Sequence, residues 1–248
     1  MTRRAVSLVC VALLALTLAA CGSSKKSVSS KSNNTKSTEA TTTTEASSSG
    51  DSTADKAKAQ AINLKDGDLP AGWTSTPAGT DNSSDQTDQE LYSCAGITDP
   101  KTGTTADESS PDFSKGEFTQ VSSEVQFVKS KDQAKKDLEI VKSGKFTDCL
   151  KQAFDKQMQK EAGSQGATFG QSKVESLPAP SGVDGAAFRM TIPISAQGFN
   201  LNFYIDFTLM LKNRAEVTLA AFNGNAPFDS ALKGELTSKL ISRMASNA

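Results

Sequence analysis

Every odd position from Phe199 to Leu211 is apolar: Phe199, Leu201, Phe203, Ile205, Phe207, Leu209 and Leu211. The even positions between them, Asn200, Asn202, Tyr204, Asp206, Thr208 and Met210, are mostly polar. A period of two sustained over that length predicts a long strand with one buried and one wetter face. Phe188, Met190, Ile192 and Ile194 alternate in the same way before it, and Val217, Leu219 and Ala221 after it. The three segments together predict an antiparallel meander. Matching the apolar rows sets Met190 against Phe203 and Ile194 against Phe199, across a four-residue loop at Ser195–Gly198. The same matching sets Val217, Leu219 and Ala221 against Leu209, Phe207 and Ile205, across a three-residue loop at Lys212–Arg214.

Earlier in the chain, Phe118 to Val128 reads as a strand with Val121, Val125 and Phe127 on one face. Ser130 to Ser143 reads as a helix, N-capped by Ser130, with Ala134, Leu138 and Val141 on its apolar side. A second helix follows from about Phe146 to Glu161, where Phe146, Cys149, Leu150, Ala153, Phe154 and Met158 recur every three or four residues. Phe169 to Leu177 is one more strand, closed by the loop at 178–182. Pro227 opens a C-terminal helix through about Ala245, whose buried side carries Phe228, Leu232, Leu236, Leu240 and Met244. A turn at Asp66–Gly72 leads into a strand at Trp73, which packs on the core edge. The stretch 74–112 is turn-rich and acidic and reads as a long irregular excursion. The fold class expected is α+β: an antiparallel sheet packed by two central helices and one C-terminal helix.

The first sixty residues have a different character. Arg3-Arg4 precede a mainly apolar run from Ala5 to Leu18, followed by Leu18-Ala19-Ala20-Cys21. A short basic region, an apolar core of about 14 residues and small residues at its exit describe a signal peptide, too short to span a bilayer. Its route, general secretory or twin-arginine, stays open. From Gly22 to about Asp55 the chain is almost all Ser, Thr, Lys, Asn and Glu, and it cannot bury enough surface to offset its ordering entropy. The expected organisation is a signal peptide over 1–20, a disordered tether over 21–58, and a single domain over 59–248.

The whole chain has 27 basic and 28 acidic residues; without Arg3 and Arg4 the balance is 25 against 28. No basic run follows, which argues against nucleic acid as a partner. Histidine is absent, which removes Ser-His-Asp and Cys-His pairs and most zinc sites. Asp66-Gly67-Asp68 is too short for a calcium loop. The carboxylates Asp81, Asp85, Asp88 and Glu90 lie in a polar stretch that nothing positions. Lys101-Thr102-Gly103 and Ser230-Ala231-Leu232-Lys233 have the spacings of serine β-lactamase elements but in reversed order. No catalytic residue, metal or cofactor is therefore expected.

Of four cysteines, Cys10 falls in the signal peptide and Cys21 at its exit. Cys94 and Cys149 remain, and in an exported chain they are expected to form a disulfide between the excursion and the second helix. Asp206 sits mid-strand, where Asp is disfavoured, with Arg189 and Tyr204 near it in the matched register. Arg189, Tyr204 and Asp206 form a candidate binding patch on an exposed face, although such trios are more often cross-strand ion pairs.

Leu18-Ala19-Ala20-Cys21 resembles the lipobox of bacterial lipoproteins at all four positions. The resemblance implies cleavage before Cys21, diacylglycerol on its thiol, and anchoring at the outer face of the cell membrane. Asp68-Leu69-Pro70-Ala71-Gly72-Trp73, Cys94, the Val125-Gln126-Phe127 strand, the helix with Cys149, and the closing meander and helix carry a second resemblance. They are similar to the extracellular sensor domains of mycobacterial serine/threonine kinases and related actinobacterial envelope lipoproteins, with a PsbP-like architecture. This implies a non-catalytic domain that binds a small ligand, a lipid or an envelope protein. A lipid or glycolipid carrier is the alternative, with Phe199, Leu201, Phe203 and Phe207 lining an apolar cavity; a histidine-free enzyme is a third.

Overall fold

A computed structural model describes residues 52–78, 84–97, 103–165, 167–196 and 199–248. The signal peptide, Cys21, the tether up to Asp51, Asp81 and the tip at 197–198 lie outside the described residues. The elements run α1 (Ser52–Ile62), β1 (Thr74–Thr76), α2 (Ser84–Ala95), β2 (Thr104–Ser109), β3 (Asp112–Lys115), β4 (Thr119–Val128), α3 (Lys131–Lys142) and α4 (Gly144–Gln165). They continue β5 (Ala167–Phe169), β6 (Lys173–Leu177), β7 (Asp184–Ala196), β8 (Phe199–Lys212), β9 (Ala215–Gly224) and α5 (Ser230–Asn247). The class is α+β, as the alternation implies.

All strands join one antiparallel sheet in the order β1-β3-β4-β9-β8-β7-β5, with β2 also on β4 and β6 also on β7. The expected meander is present as β7-β8-β9, but its registers differ. Met190 pairs with Ile205, Ile192 with Phe203 and Ile194 with Leu201. The pairing continues to Ala196 opposite Phe199, so two residues, not four, connect the strands. A slip of two keeps the apolar row on its face.

The β8–β9 register is off by one, which changes more. Met210 faces Val217 and Thr208 faces Leu219, because the turn is Asn213-Arg214 with Asn213 in the left-handed region at φ 55°. Val217, Leu219 and Ala221 therefore lie on the opposite face from Phe203 and Phe207. The sequence pattern hides this because β9 is buried at every position from Ala215 to Phe222. A strand covered on both sides carries apolar residues in both parities.

Two apolar layers result. On one face Phe188, Met190, Ile192, Phe203, Ile205, Phe207 and Phe222 pack under α2 and α4 through Leu91, Phe146, Leu150, Phe154 and Met158. On the other, Val121, Val125, Phe127, Met210, Val217 and Leu219 pack under α1 and α5 through Ala59, Ile62, Leu236, Leu240 and Met244. Trp73 packs beside Phe228 at a ring distance of 6.0 Å, on the edge of this second layer. No described helix is long and apolar enough to cross a membrane.

Three further differences have local causes. Residues 52–58, assigned to the tether, belong to α1, because Asp55 is buried against Arg214 of the β8–β9 turn at 2.7 Å. The stretch 74–112 holds β1, α2, β2 and the start of β3; α2 is polar along most of its length and buries Leu91, Tyr92 and Ala95 at its end. The strand expected over 169–177 is split into β5 and β6, and Gly170 between them donates its N–H to the Pro193 carbonyl at 2.8 Å.

Candidate functional site

Asp206 was expected within a candidate binding patch on an exposed face, and its side chain is 0% exposed. The corrected register puts Arg189 directly opposite it and moves Tyr204 to face Thr191. Arg189 makes a two-pronged contact, Nε to Oδ1 at 2.6 Å and Nη2 to Oδ2 at 2.9 Å. Lys233, from the first turn of α5, also donates to Asp206 Oδ2. Burial opposes ionisation of Asp206, but the Arg189 and Lys233 bonds hold its carboxyl below the usual carboxylate range. The cluster joins the C-terminal helix to the sheet. Both carboxylate oxygens are engaged, so Arg189 and Asp206 are brought together as an ion cluster, with Tyr204 half-buried two pairs along.

Cys94 of α2 and Cys149 of α4 are disulfide-bonded, with Cα atoms 5.6 Å apart. The bond fastens α2 beside a partly open cavity of about 50 Å³. Tyr92 and Ile97 form one wall, and Gln133, Asp137 and Val141 of α3 with Phe146 of α4 form another. The floor is sheet: Thr104, Gln126, Val128 and Glu216. About 50 Å³ is well below the ~300–1,000 Å³ of a site for a drug-sized molecule. It is room for one or two waters or a small polar head, a water occupying roughly 30 Å³ of liquid.

The floor carries the unusual chemistry. Gln126 pairs across strands with Asp107 on one side and Glu216 on the other. Its amide donates to Glu124 Oε1 at 2.9 Å and to Asp107 Oδ2 at 3.3 Å. Glu216 is 3% exposed and its Oε1 has no hydrogen-bond partner among the described residues. Burial pushes its carboxyl up to about 8, and neighbouring Asp137 adds to the rise. Burial likewise raises Glu124 to about 7, helped by Asp107. Burial also raises Asp137. None of the four carboxyls has an ion-pair partner among the described residues. No described group of acidic or cysteine side chains is arranged to hold a metal ion.

Sequence reasoning missed Glu124 and Glu216. For Glu216 a signal was available: it is a carboxylate inside a strand otherwise without charge, the same oddity that singled out Asp206. Glu124 lies among Ser122, Ser123 and Gln126 and does not stand out; what the sequence lacks is the register that sets Gln126, beside Glu124, opposite Glu216.

A pH dependence follows. Glu216 stays protonated in the folded chain up to about 8, whereas an unfolded Glu ionises near ~4.3. The folded state therefore holds an extra proton between those values, and stability falls as pH rises through that window. Glu124 loses the last part of its proton over the same interval, so most of the decline from pH 7 to 8 belongs to Glu216, at up to ~1.4 kcal/mol per pH unit. Urea unfolding of Glu216→Gln at pH 7 and 8 is expected to show most of that decline removed. An unchanged slope would contradict the assignment.

No family model matches the chain, and no curated protein matches it. Among solved structures it is similar to the extracellular domain of PknH from Mycobacterium tuberculosis, at 11% identity and a TM-score of 0.40. The match covers 77% of this chain and 96% of that one. At that level of likeness the function has to be argued from the site's own chemistry.

Proposed function

We propose that the chain is a membrane-anchored bacterial lipoprotein whose exported domain binds a ligand without transforming it. The observation that carries the ligand-binding half is the cavity floored by Gln126 and Glu216, where a buried carboxyl oxygen lacks a partner. Buried polar groups left unsatisfied are costly, and their retention in a concave site points to a missing partner. The support for the anchor is the Leu18-Ala19-Ala20-Cys21 box followed by a polar tether. By this reading the chain is held at the outer face of the membrane through two or three acyl chains on Cys21, and the domain reaches its ligand from there.

The lipid-carrier alternative draws less support. Phe203 stacks on Phe222 at 5.1 Å, and Phe207 lies against Phe188 at 5.2 Å, so these members of the apolar row are used in core packing.

The anchor is tested with Cys21→Ser. Labelling cells with a radioactive fatty acid is expected to mark the parent and leave the variant unlabelled and uncut. Equal labelling of both would remove the lipoprotein reading. The ligand half is tested by extracting the purified full chain with water and with organic solvent. A stoichiometric polar molecule supports binding, an aliphatic lipid supports the carrier, and empty extracts contradict both.

A further inference from the structure

We propose that the cavity beneath α2 selects a small organic cation, a primary ammonium head, rather than a neutral or anionic group. This rests on the reading of the cavity as a ligand site and names the chemistry that the site would take.

The floor and walls present carboxyls with no described counter-cation. From β9 comes Glu216, with Oε1 unpartnered, and from α3 comes Asp137, which shares a hydrogen bond with Glu216. From β4, Gln126 presents its amide, which is engaged by Glu124 of the same strand and Asp107 of β2. From α2, Tyr92 adds a phenol, and α4 contributes only the Phe146 ring. Every titratable group packed on this cavity is thus an acid. A group that brings positive charge and N–H donors satisfies the free oxygen and the charge imbalance together. An anion would find no counter-charge, because the titratable groups lining the cavity, Tyr92, Asp137 and Glu216, are all acids. A metal ion fits poorly, because no described acidic group clusters with ligand spacing. The volume of about 50 Å³ admits a head and not a long chain, while Ile97, Val128, Val141 and Phe146 give the first carbon an apolar wall.

The empty site keeps Glu216 protonated at neutral pH, since its carboxyl is pushed up to about 8. An arriving ammonium favours the ionised form. The ammonium keeps its three protons, the Glu216 O–H bond breaks, and that proton passes to the buffer as the ion pair forms. Binding therefore releases about one proton per site below pH 8, and the affinity rises about tenfold per pH unit up to there.

The test is titration calorimetry of the full chain in mild detergent, using ethylammonium chloride as the probe. Ethanol and acetate serve as neutral and anionic counterparts of similar size. The expected result is heat with ethylammonium alone, with apparent heats that differ between phosphate and HEPES buffers by one proton's ionisation enthalpy. Affinity should tighten at least tenfold from pH 6.5 to 8. In Glu216→Gln, which keeps the size and neutrality of the protonated acid, both the proton release and the pH dependence should vanish. Asp137→Asn serves as a second variant and should weaken binding while leaving most of the proton release. Ethanol or acetate binding as well as ethylammonium would overturn the cation inference and leave the ligand site standing. No heat from any of the three also overturns it. The ligand-site reading itself falls only if the full chain carries no small molecule from the cell either.

Discussion

Asp206→Ala is expected to destabilise the domain by ~3–5 kcal/mol, the size seen when one partner of a buried ion cluster is removed. The carboxylate sits between Arg189 and Lys233 with its side chain 0% exposed. Deleting it leaves two half-buried cations facing one another, with Glu175, 3.9 Å from Arg189, as the nearby anion among the described residues. It also frees the first turn of α5 from the sheet, because Lys233 is the side chain that crosses that interface to Asp206. For a domain of this size each kcal/mol corresponds to roughly 2–4 °C, so the melting temperature should fall by about 10 °C. Thermal unfolding followed by circular dichroism measures it. If Asp206 instead belonged to a solvated patch, the change would stay within ~0.5 kcal/mol. A shift that small would return the trio to the surface.

Replacing both Cys94 and Cys149 with Ser is expected to cost a further large amount, by a different route. The bond closes a loop of 55 residues. In the chain-entropy account, a loop of that length restricts the unfolded ensemble by ~4 kcal/mol. The loss should not be uniform. α2 is polar along most of its length and buries Leu91, Tyr92 and Ala95 near its end, beside Cys94, so the disulfide supplies much of what holds it down. Hydrogen exchange should therefore rise first in α2 and in the cavity wall at Tyr92 and Ile97. The far layer under α1 and α5 should keep its protection until global unfolding. Equal loss of protection in both layers would contradict this division.

How much of this could be read in the sequence depended on whether a residue's own pattern decided its placement. β8 was legible because only its odd face is uniformly apolar, and α4 because Phe146, Leu150, Phe154 and Met158 recur at helical spacing. α5 was legible from Leu236, Leu240 and Met244, although its N-cap is Asp229. The β8–β9 register was not, since β9 is buried on both sides: its odd row, Val217, Leu219 and Ala221, is apolar, and its even row buries Glu216 and Thr218 beside Ala220 and Phe222. α2 was missed because its sequence is mostly polar, and a helix held by a disulfide needs little amphipathic signal of its own. The cavity floor was out of reach for a further reason. Gln126 and Glu216 are 90 residues apart, and only the β4–β9 register brings them face to face. The disulfide was foreseeable from an exported setting and a count of cysteines; its role as a clamp on one cavity wall was not.

The most direct test of the ligand-binding account is native mass spectrometry of the full chain, extracted in mild detergent and compared with Ile97→Trp. Ile97 is a half-buried wall residue, and an indole there fills the cavity from its rim. The account predicts a small adduct of defined mass on the parent, displaced by ethylammonium and absent from the variant. A parent that carries nothing, or an adduct retained by the filled cavity, would contradict it.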